Sequence, residues 1–420
     1  MRRYESYKDS GVEWLGEVPS HWNLIPNKYI FKLRKNVVGK RSSEYDLLSL
    51  SLKGVIKRDM ANPKGKFPAE FDTYQEVKEG DFIFCLFDVE ETPRTVGLSS
   101  YHGMITGAYT IFETNNVDKK FIYYFYLNLD SDKRLKPLYK GLRNTISKET
   151  FFSFNTFIPP LSEQQKIAQF LNDKTAKIDQ AVDLAEKQIA LLKEHKQILI
   201  QNAVTRGLNP DVPLKDSGVE WIGQVPEHWD VQRSKFIFKK IERKVNEEDQ
   251  IVTCFRDGQV TLRANRRTEG FTNALKEHGY QGIRKGDLVI HAMDAFAGAI
   301  GISDSDGKAT PVYSVCLPHD KQKIDVYFYA YYLRNLALSG FIRSLAKGIR
   351  ERSTDFRYAD FAELLLPIPP YLEQQKIADY LDKQTSKIDQ AIALKTAHIE
   401  KLKEYKSVLI NDVVTGKVRV

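Results

Sequence analysis

"DSGVEWLGEVPSHW" occupies residues 9–22, and "DSGVEWIGQVPEHW" occupies residues 216–229. Eleven of the fourteen positions are identical, and the copies stand 207 residues apart. A longer phrase, "PPLSEQQKIAQFLNDKTAKIDQA" (159–181), returns as "PPYLEQQKIADYLDKQTSKIDQA" (369–391) with fifteen of 23 positions shared. The chain is a tandem duplication, and a repeat of this length dictates architecture before any local propensity does. Each copy reads as a short opening strap, a divergent middle segment and a closing helical segment.

The middle segments, about 23–158 and 230–368, share only landmarks. Tyr74-Gln75 with Gly80-Asp81 returns as Tyr280-Gln281 with Gly286-Asp287, Tyr109 returns as Tyr313, and "KGLR" (140–143) returns as "KGIR" (347–350). A shared skeleton under different surfaces is expected of two modules of one fold that read different targets. "DFIFCLF" (81–87) and "DLVIHAM" (287–293) follow a Gly-Asp turn and predict strands, as do "YTIF" and "YSVC". "DKKFIYYFYLN" (118–128) and "DVYFYAYYLRN" (325–335) are aromatic-rich and fit either a strand or a buried helix, which periodicity does not separate; an Asp able to cap each start favours helix.

The closing segments are helical. Pro159-Pro160 and Pro369-Pro370 block helix before them, and a short helix is expected to end near Asn172. Beyond it, Ile178, Val182, Ala185, Ile189, Leu192, Leu199 and Ala203 follow four–three spacing, as do Ile388, Ile392, Ile399, Leu402, Leu409 and Val413. Such stripes predict two helices of ~33 residues, ~50 Å each, paired as an antiparallel coiled coil. Lys196 and Lys406 interrupt the stripes at the same place, either fixing register or reaching past the seam to solvent. By symmetry the end of the second helix should lie beside the first strap, closing a pseudo-two-fold circle. The expected organisation is 1–158 and 209–368 as globular modules, carrying straps 9–22 and 216–229, with helical regions 159–208 and 369–420. The fold class is α/β in the α+β sense. All four tryptophans, Trp14, Trp22, Trp221 and Trp229, fall in the straps and read as anchors, with His21 and His228 as structural neighbours.

No 20-residue apolar run or secretory leader is present, mean hydropathy is −0.42, and Cys85, Cys254 and Cys316 lie far apart without a CxxC. These features fit a cytoplasmic protein with reduced, core cysteines. GxxxxGK[ST], GxGxxG and HExxH are absent. "IPPY" (368–371) lacks the Asn or Asp that an amino-methyltransferase motif requires, and its partner "IPPL" (158–161) assigns both to helix starts. The chain is therefore expected to be non-catalytic.

Net charge is +8, and the basic residues cluster in the middle segments. Candidate DNA contacts are Lys53, Lys57, Arg58, Arg134, Lys140, Arg143 and Asn144 in the first module, and Arg256, Arg263, Arg266, Arg267, Arg343, Lys347, Arg350 and Arg352 in the second. Guanidinium and ammonium groups serve phosphates, Arg serves guanine edges, and Asn serves adenine. A scaffold whose modules bind protein is the competing reading.

The duplicated "DSGVEW…HW", "PPLSEQQKIAQFL" and "KIDQA" phrases, in this order, resemble the specificity subunit of type I restriction–modification systems over essentially the whole chain. The resemblance implies two target-recognition domains, each reading half of a split, asymmetric site in double-stranded DNA. It implies helices that set the spacer and dock two methyltransferase subunits, joined by restriction–translocase subunits. S-adenosylmethionine, ATP and Mg would then belong to those partners, with no cofactor, metal or membrane for this chain.

Overall fold

The computed structural model describes residues 2–60, 70–139, 144–266, 269, 278–345 and 356–420. The chain divides into two compact units, Met1–Glu186 with Thr396–Val420, and Lys187–Lys395. Each unit holds one module, the start of one long helix and the end of the other.

The first module contains β1 (Phe31–Arg34), β2 (Leu48–Ser51), β3 (Gly54–Lys57), β4 (Phe82–Phe84), β5 (Val96–Leu98), β6 (Thr110–Thr114) and helix α1 (Lys119–Ser131). A four-stranded antiparallel sheet runs β1-β6-β4-β5, and β2-β3 form a separate hairpin. The long helix α2 spans Leu161–Arg206. In the second module, β7 (Phe238–Lys240), β8 (Val252–Cys254), β9 (Val260–Leu262), β10 (Leu288–His291), β11 (Ile300–Ile302) and β12 (Tyr313–Pro318) precede helix α3 (Val326–Leu338) and the long helix α4 (Tyr371–Val414). The sheet order β7-β12-β10-β11 and the hairpin β8-β9 repeat the first module. The aromatic segments are helices, and Asp118 and Asp325 cap them by accepting from Phe121 N and from Tyr327 and Phe328 N.

The landmarks shared by the modules are internal braces. Gln75 Nε2 donates to the Tyr109 carbonyl at 2.9 Å, and Gln281 Nε2 donates to the Tyr313 carbonyl at 2.6 Å. Buried Asp81 accepts from Lys78 N and pairs with Arg34 at 3.0 Å. Buried Asp287 does the same with Arg284 N and Arg243. All three cysteines are buried and free, and burial pushes the Cys316 thiol up to about 12.

Each long helix is one continuous rod, 46 residues in α2 and 44 in α4, so the break expected near Asn172 does not occur. The polar run there interrupts the apolar pattern for another reason. Asn172 and Thr175 hydrogen-bond the Tyr124 hydroxyl of α1 at 2.9 and 3.0 Å. In the second unit Asp382 and Thr385 bond Tyr331 of α3 at 2.7 and 3.3 Å. No glycine or proline stands in the run, so the helix continues through it.

The two lysines neither simply snorkel nor stand unpaired. Lys406 Nζ meets Asp179 at 2.6 Å in the first unit, and Lys196 Nζ meets Asp389 at 2.6 Å in the second. Each aspartate belongs to a "KIDQA" phrase, so each copy's lysine holds the other copy's repeat. Lys395 also meets Gln188 at 2.6 Å, and with Lys196–Asp389 this pairing runs antiparallel.

The first turn of each long helix is the anchor of its unit. Glu163 accepts from Trp22 Nε1 at 3.1 Å and contacts His21 Nε2 at 2.7 Å, while Glu373 accepts from Trp229 Nε1 at 3.2 Å and contacts His228 Nε2 at 2.7 Å. Trp22 and Trp229 are 0% exposed, whereas Trp14 and Trp221 are half-buried. The next residue ties in the module helix: Gln164 Oε1 accepts from Asp118 N and Gln374 Oε1 from Asp325 N, both at 2.8 Å. The far end of the other long helix arrives at the same tryptophan. Gly207 (φ +76°), which ends α2, packs on Trp229 and Glu373, and Gly416 (φ +76°), which follows α4, packs on Pro19 and Trp22. The chain ends meet here too, where Arg419 N donates to the Arg2 carbonyl at 2.8 Å.

Two outcomes follow from this anchoring. Glu373→Ala is expected to cost about 1.5–3 kcal/mol, because it strips a charged acceptor from a buried indole. Glu373→Gln, which keeps an acceptor oxygen, should cost less, and denaturant unfolding followed by tryptophan fluorescence measures both. Burial alone would raise the Glu163 carboxyl, but donation from Tyr4, His21 and Trp22 outweighs it and holds the group below its usual range. Its stabilising contribution is therefore complete at neutral pH and is lost as pH falls through that depressed value. Second, a circular permutant that begins at Pro210, with Val420 joined to Met1 by a short flexible linker, should unfold cooperatively with a midpoint close to that of the parent. Residues 208–211 are exposed, and the ends to be joined are already adjacent. Loss of cooperative melting in circular dichroism would contradict the closure of the first unit through its two ends.

Candidate nucleic-acid interface

The hairpin and the loop after the central strand lie beside each other in each module, and the sequence-predicted cations distribute over them unevenly. In the first module the β2-β3 turn is tight. Lys53 is exposed in it, and Lys57 at its base pairs with Asp46 at 2.5 Å and lies 5.4 Å from the Tyr101 ring centre. Arg58 follows, its amide donating to the Leu47 carbonyl at 2.8 Å. Asn144 is exposed in a left-handed conformation (φ +46°), and its carbonyl accepts from Asp88 N at 2.9 Å. Arg134 is drawn into the scaffold. Its guanidinium lies 4.5 Å from the Trp14 ring, bonds Asn411 at 3.4 Å and pairs with Asp132. Lys140 and Arg143 lie outside the described residues.

In the second module the hairpin turn is longer, "FRDGQ" at 255–259. Arg256 reaches from it to Asp294, in the β10-β11 loop, with Nη2 donating to Oδ1 at 2.8 Å. Arg256 and Arg343 both lie 6.0 Å from the ring centre of Phe296. Arg266 pairs with Asp257 at 2.6 Å and lies 4.3 Å over Phe255. Arg263 Nε donates to Thr253 Oγ1 at 3.4 Å. The structure thus brings Arg256 and Arg343 together at one aromatic ring, and packs Arg266, from beyond β9, against the turn that carries Arg256. Arg267, Lys347, Arg350 and Arg352 lie outside the described residues.

Asp294 is the residue that sequence reasoning missed here. Beneath it His291 accepts from Asp294 N through Nδ1 at 3.0 Å and meets Tyr313 edge to face at 4.6 Å. Burial lowers the His291 pKa against the opposing pull of Asp294, which favours the neutral acceptor form. Asp294 is held by His291 and in turn holds Arg256 near Phe296. An arginine fixed in this way is a preorganised fork for guanine, and a free aspartate oxygen accepts from cytosine N4. Nothing in sequence links Arg256 to Asp294, which are 38 residues apart.

No group of three or more His, Cys, Asp or Glu suited to a metal ion occurs among the described residues, and none of their helices is long and apolar enough to cross a membrane.

The profile of the Type I restriction modification DNA specificity domain matches residues 104–193 and 226–404, more than half of the chain. The type I restriction enzyme MjaVIII specificity subunit of Methanocaldococcus jannaschii is 26% identical over 333 residues, 76% of this chain and 75% of that protein. The putative type I restriction enzyme MjaX specificity subunit of the same organism is 23% identical and covers 99% of this chain and 97% of its own. Among solved structures, a chain from work on complex assembly and conformational transition of the type I R-M system superposes with TM-score 0.68 at 13% identity, over 96% of this chain and 99% of that one. The HsdS subunit from Thermoanaerobacter tengcongensis superposes with TM-score 0.52 at 15% identity, over 98% and 100%. Duplicated sequence, duplicated scaffold and family profile agree: the chain belongs to the type I restriction–modification specificity subunits, the components that recognise the DNA target.

Proposed function

We propose that this subunit reads a bipartite, asymmetric site in double-stranded DNA, one half-site per module, and does no chemistry itself. The observation that carries the reading is a contrast between the units. Their braces match residue for residue: Glu163 with Glu373, Gln164 with Gln374, Asp81 with Asp287, Lys406 with Lys196. Their candidate reading groups do not match: a tight turn with Lys53 and Lys57 in one, and Arg256, Asp294, Phe296 and Arg343 in the other. One frame presenting two surfaces suits two different half-sites. The candidate contacts are the fifteen residues named from sequence, with Arg134 the least available of those described.

In this reading the long helices set the gap between half-sites and dock two methyltransferase subunits, and restriction–translocase subunits complete the complex. S-adenosylmethionine, ATP and Mg act on those partners, in the cytoplasm.

The reading is tested by mapping methylated adenines in a host that carries the complete system. Asp294→Asn and Arg256→Ala should each relax one base position in one half-site, at a cost of roughly 1–3 kcal/mol of discrimination, and leave the other half-site untouched. Loss spread evenly over both half-sites would refute the division of labour. The helices are tested separately. The end of α2 is unsuitable for insertion, because Ala203 and Val204 are buried in the second unit's core. Four residues inserted after Glu186 and four after Lys395 fall where each helix passes from one unit to the next. They add ~6 Å of helix. With a rise of ~3.4 Å per base pair, the gap should grow by one or two pairs while both half-site sequences persist. An unchanged gap would mean that the helices do not set it.

A further inference from the structure

The turn glycine of each hairpin rests on the helix of its own module, and the two modules solve that contact differently. In the first, Gly54 (φ +92°) lies over the Tyr123 hydroxyl, and Arg94 Nη2 donates to the Leu52 carbonyl at 2.9 Å while buried Asp130 faces its guanidinium at 3.7 Å. In the second, Gly258 (φ +88°) lies against the guanidinium of Arg334, so closely that a Cβ there would overlap it. Both α1 and α3 have 13 residues behind an Asp cap, so the positions correspond. Arg334 stands where the first module has Leu127, and Ala337 stands where it has Asp130. The second module has the cation without the acid.

Arg334 is half-buried, and its Nε is buried with no hydrogen-bond acceptor. Among the described residues no hydrogen bond or ion pair reaches its guanidinium. Asp257 and Asp389 are near enough to act electrostatically, but neither bonds it: the Asp257 carboxylate is taken by Arg266 and that of Asp389 by Lys196, both at 2.6 Å. A guanidinium does not discharge at physiological pH, and an unpaired, partly desolvated one is costly to hold. Leu127 packs at the corresponding position of the first module, so that helix needs no charge there.

We propose that Arg334 is a phosphate contact of the second module, completed by the DNA backbone. This rests on the reading of that module as a DNA-recognition surface. A planar fork matches a phosphate bidentately. Arg256 on the hairpin turn and Arg266, which lies over Phe255 of that turn, stand nearby, each paired with a partly exposed aspartate that a phosphate can replace. Arg334 is rooted in a helix and covered by Gly258, so it cannot follow a base edge into a groove as the exposed Arg256 can. A strand passing over the hairpin can still meet it.

The test uses the full chain assembled with the methyltransferase subunits of its own system. Binding is titrated against salt with one duplex carrying the mapped target and one scrambled duplex. Arg334→Leu should weaken both duplexes alike, by about tenfold. The slope of log affinity against log salt should become shallower by about 0.9, one phosphate's worth, with discrimination between the duplexes unchanged. The thermal midpoint should not fall, and Arg334→Lys should keep most of the slope. Should leucine unfold the module, Arg334→Gln gives the same comparison. Wild-type affinity and slope in the folded variant would overturn the assignment, as would a loss confined to one base position of the target duplex. Inorganic phosphate that raises the midpoint of wild type but not of Arg334→Leu, with DNA binding equal in both, would overturn it in favour of a small-anion site. Wild type that binds no duplex would overturn this inference and the module reading together. Wild type that binds without discriminating would defeat only the target reading, and the slopes would still decide Arg334.

Discussion

The carboxylate in the first turn of each long helix is the constraint on which each unit depends. Glu163 and Glu373 accept from a buried indole and contact the histidine beside it. The adjacent glutamines reach the cap of the module helix. The end of the other long helix then closes over the same tryptophan through a left-handed glycine. Strap, module helix and both long helices thus converge within two consecutive side chains. A buried tryptophan needs an acceptor for its N–H, and a carboxylate buried beside it needs donors. Neither requirement is met unless all the segments are present. That mutual need explains why the strap and the helix start are the most alike parts of the two copies, and why the modules between them were free to diverge.

This also explains what could be read from the residues alone. The duplication, the strap tryptophans and the antiparallel seam are legible because each is a repeated pattern whose period or position carries its meaning, whereas the aromatic helices are favoured over strands only by the Asp able to cap each start. The continuity of the long helices was not legible. "LNDKTAK" breaks the apolar period because Asn172 and Thr175 serve the Tyr124 hydroxyl, and a loss of period looks the same whether a helix stops or turns a polar contact outward. The two lysines were ambiguous for a related reason. Their partners, Asp179 and Asp389, sit on the opposite copy's helix and are linked to them only through pairing. The candidate reading surface was legible as charge and not as geometry. Arg134 and Arg256 occupy equally basic stretches, yet one is absorbed by Trp14 and Asn411 while the other is presented by Asp294.

The arginines of the modules fall into two energetic classes. Arg34, Arg243 and Arg284 pair with Asp81, Asp287 and Asp249, whose side chains are 5%, 3% and 7% exposed. Breaking such a pair leaves a buried charge uncompensated, at a cost of about 3–5 kcal/mol. Arg256 and Arg266 pair with Asp294 and Asp257, whose side chains are 31% and 54% exposed. Pairs of that kind contribute roughly 0–1 kcal/mol and weaken with salt. The first class can hold a sheet, and the second can release its arginine to a ligand at small cost. Proteins that trade internal ion pairs for DNA contacts need this division, because a reading arginine bound too well to its own chain would not give up its partner for a base or a phosphate. On this scale Arg334 is the extreme member of the second class. Among the described residues it has no hydrogen bond or ion pair to break, so under the proposal made above an arriving phosphate would compete only with the longer-range pull of Asp257 and Asp389.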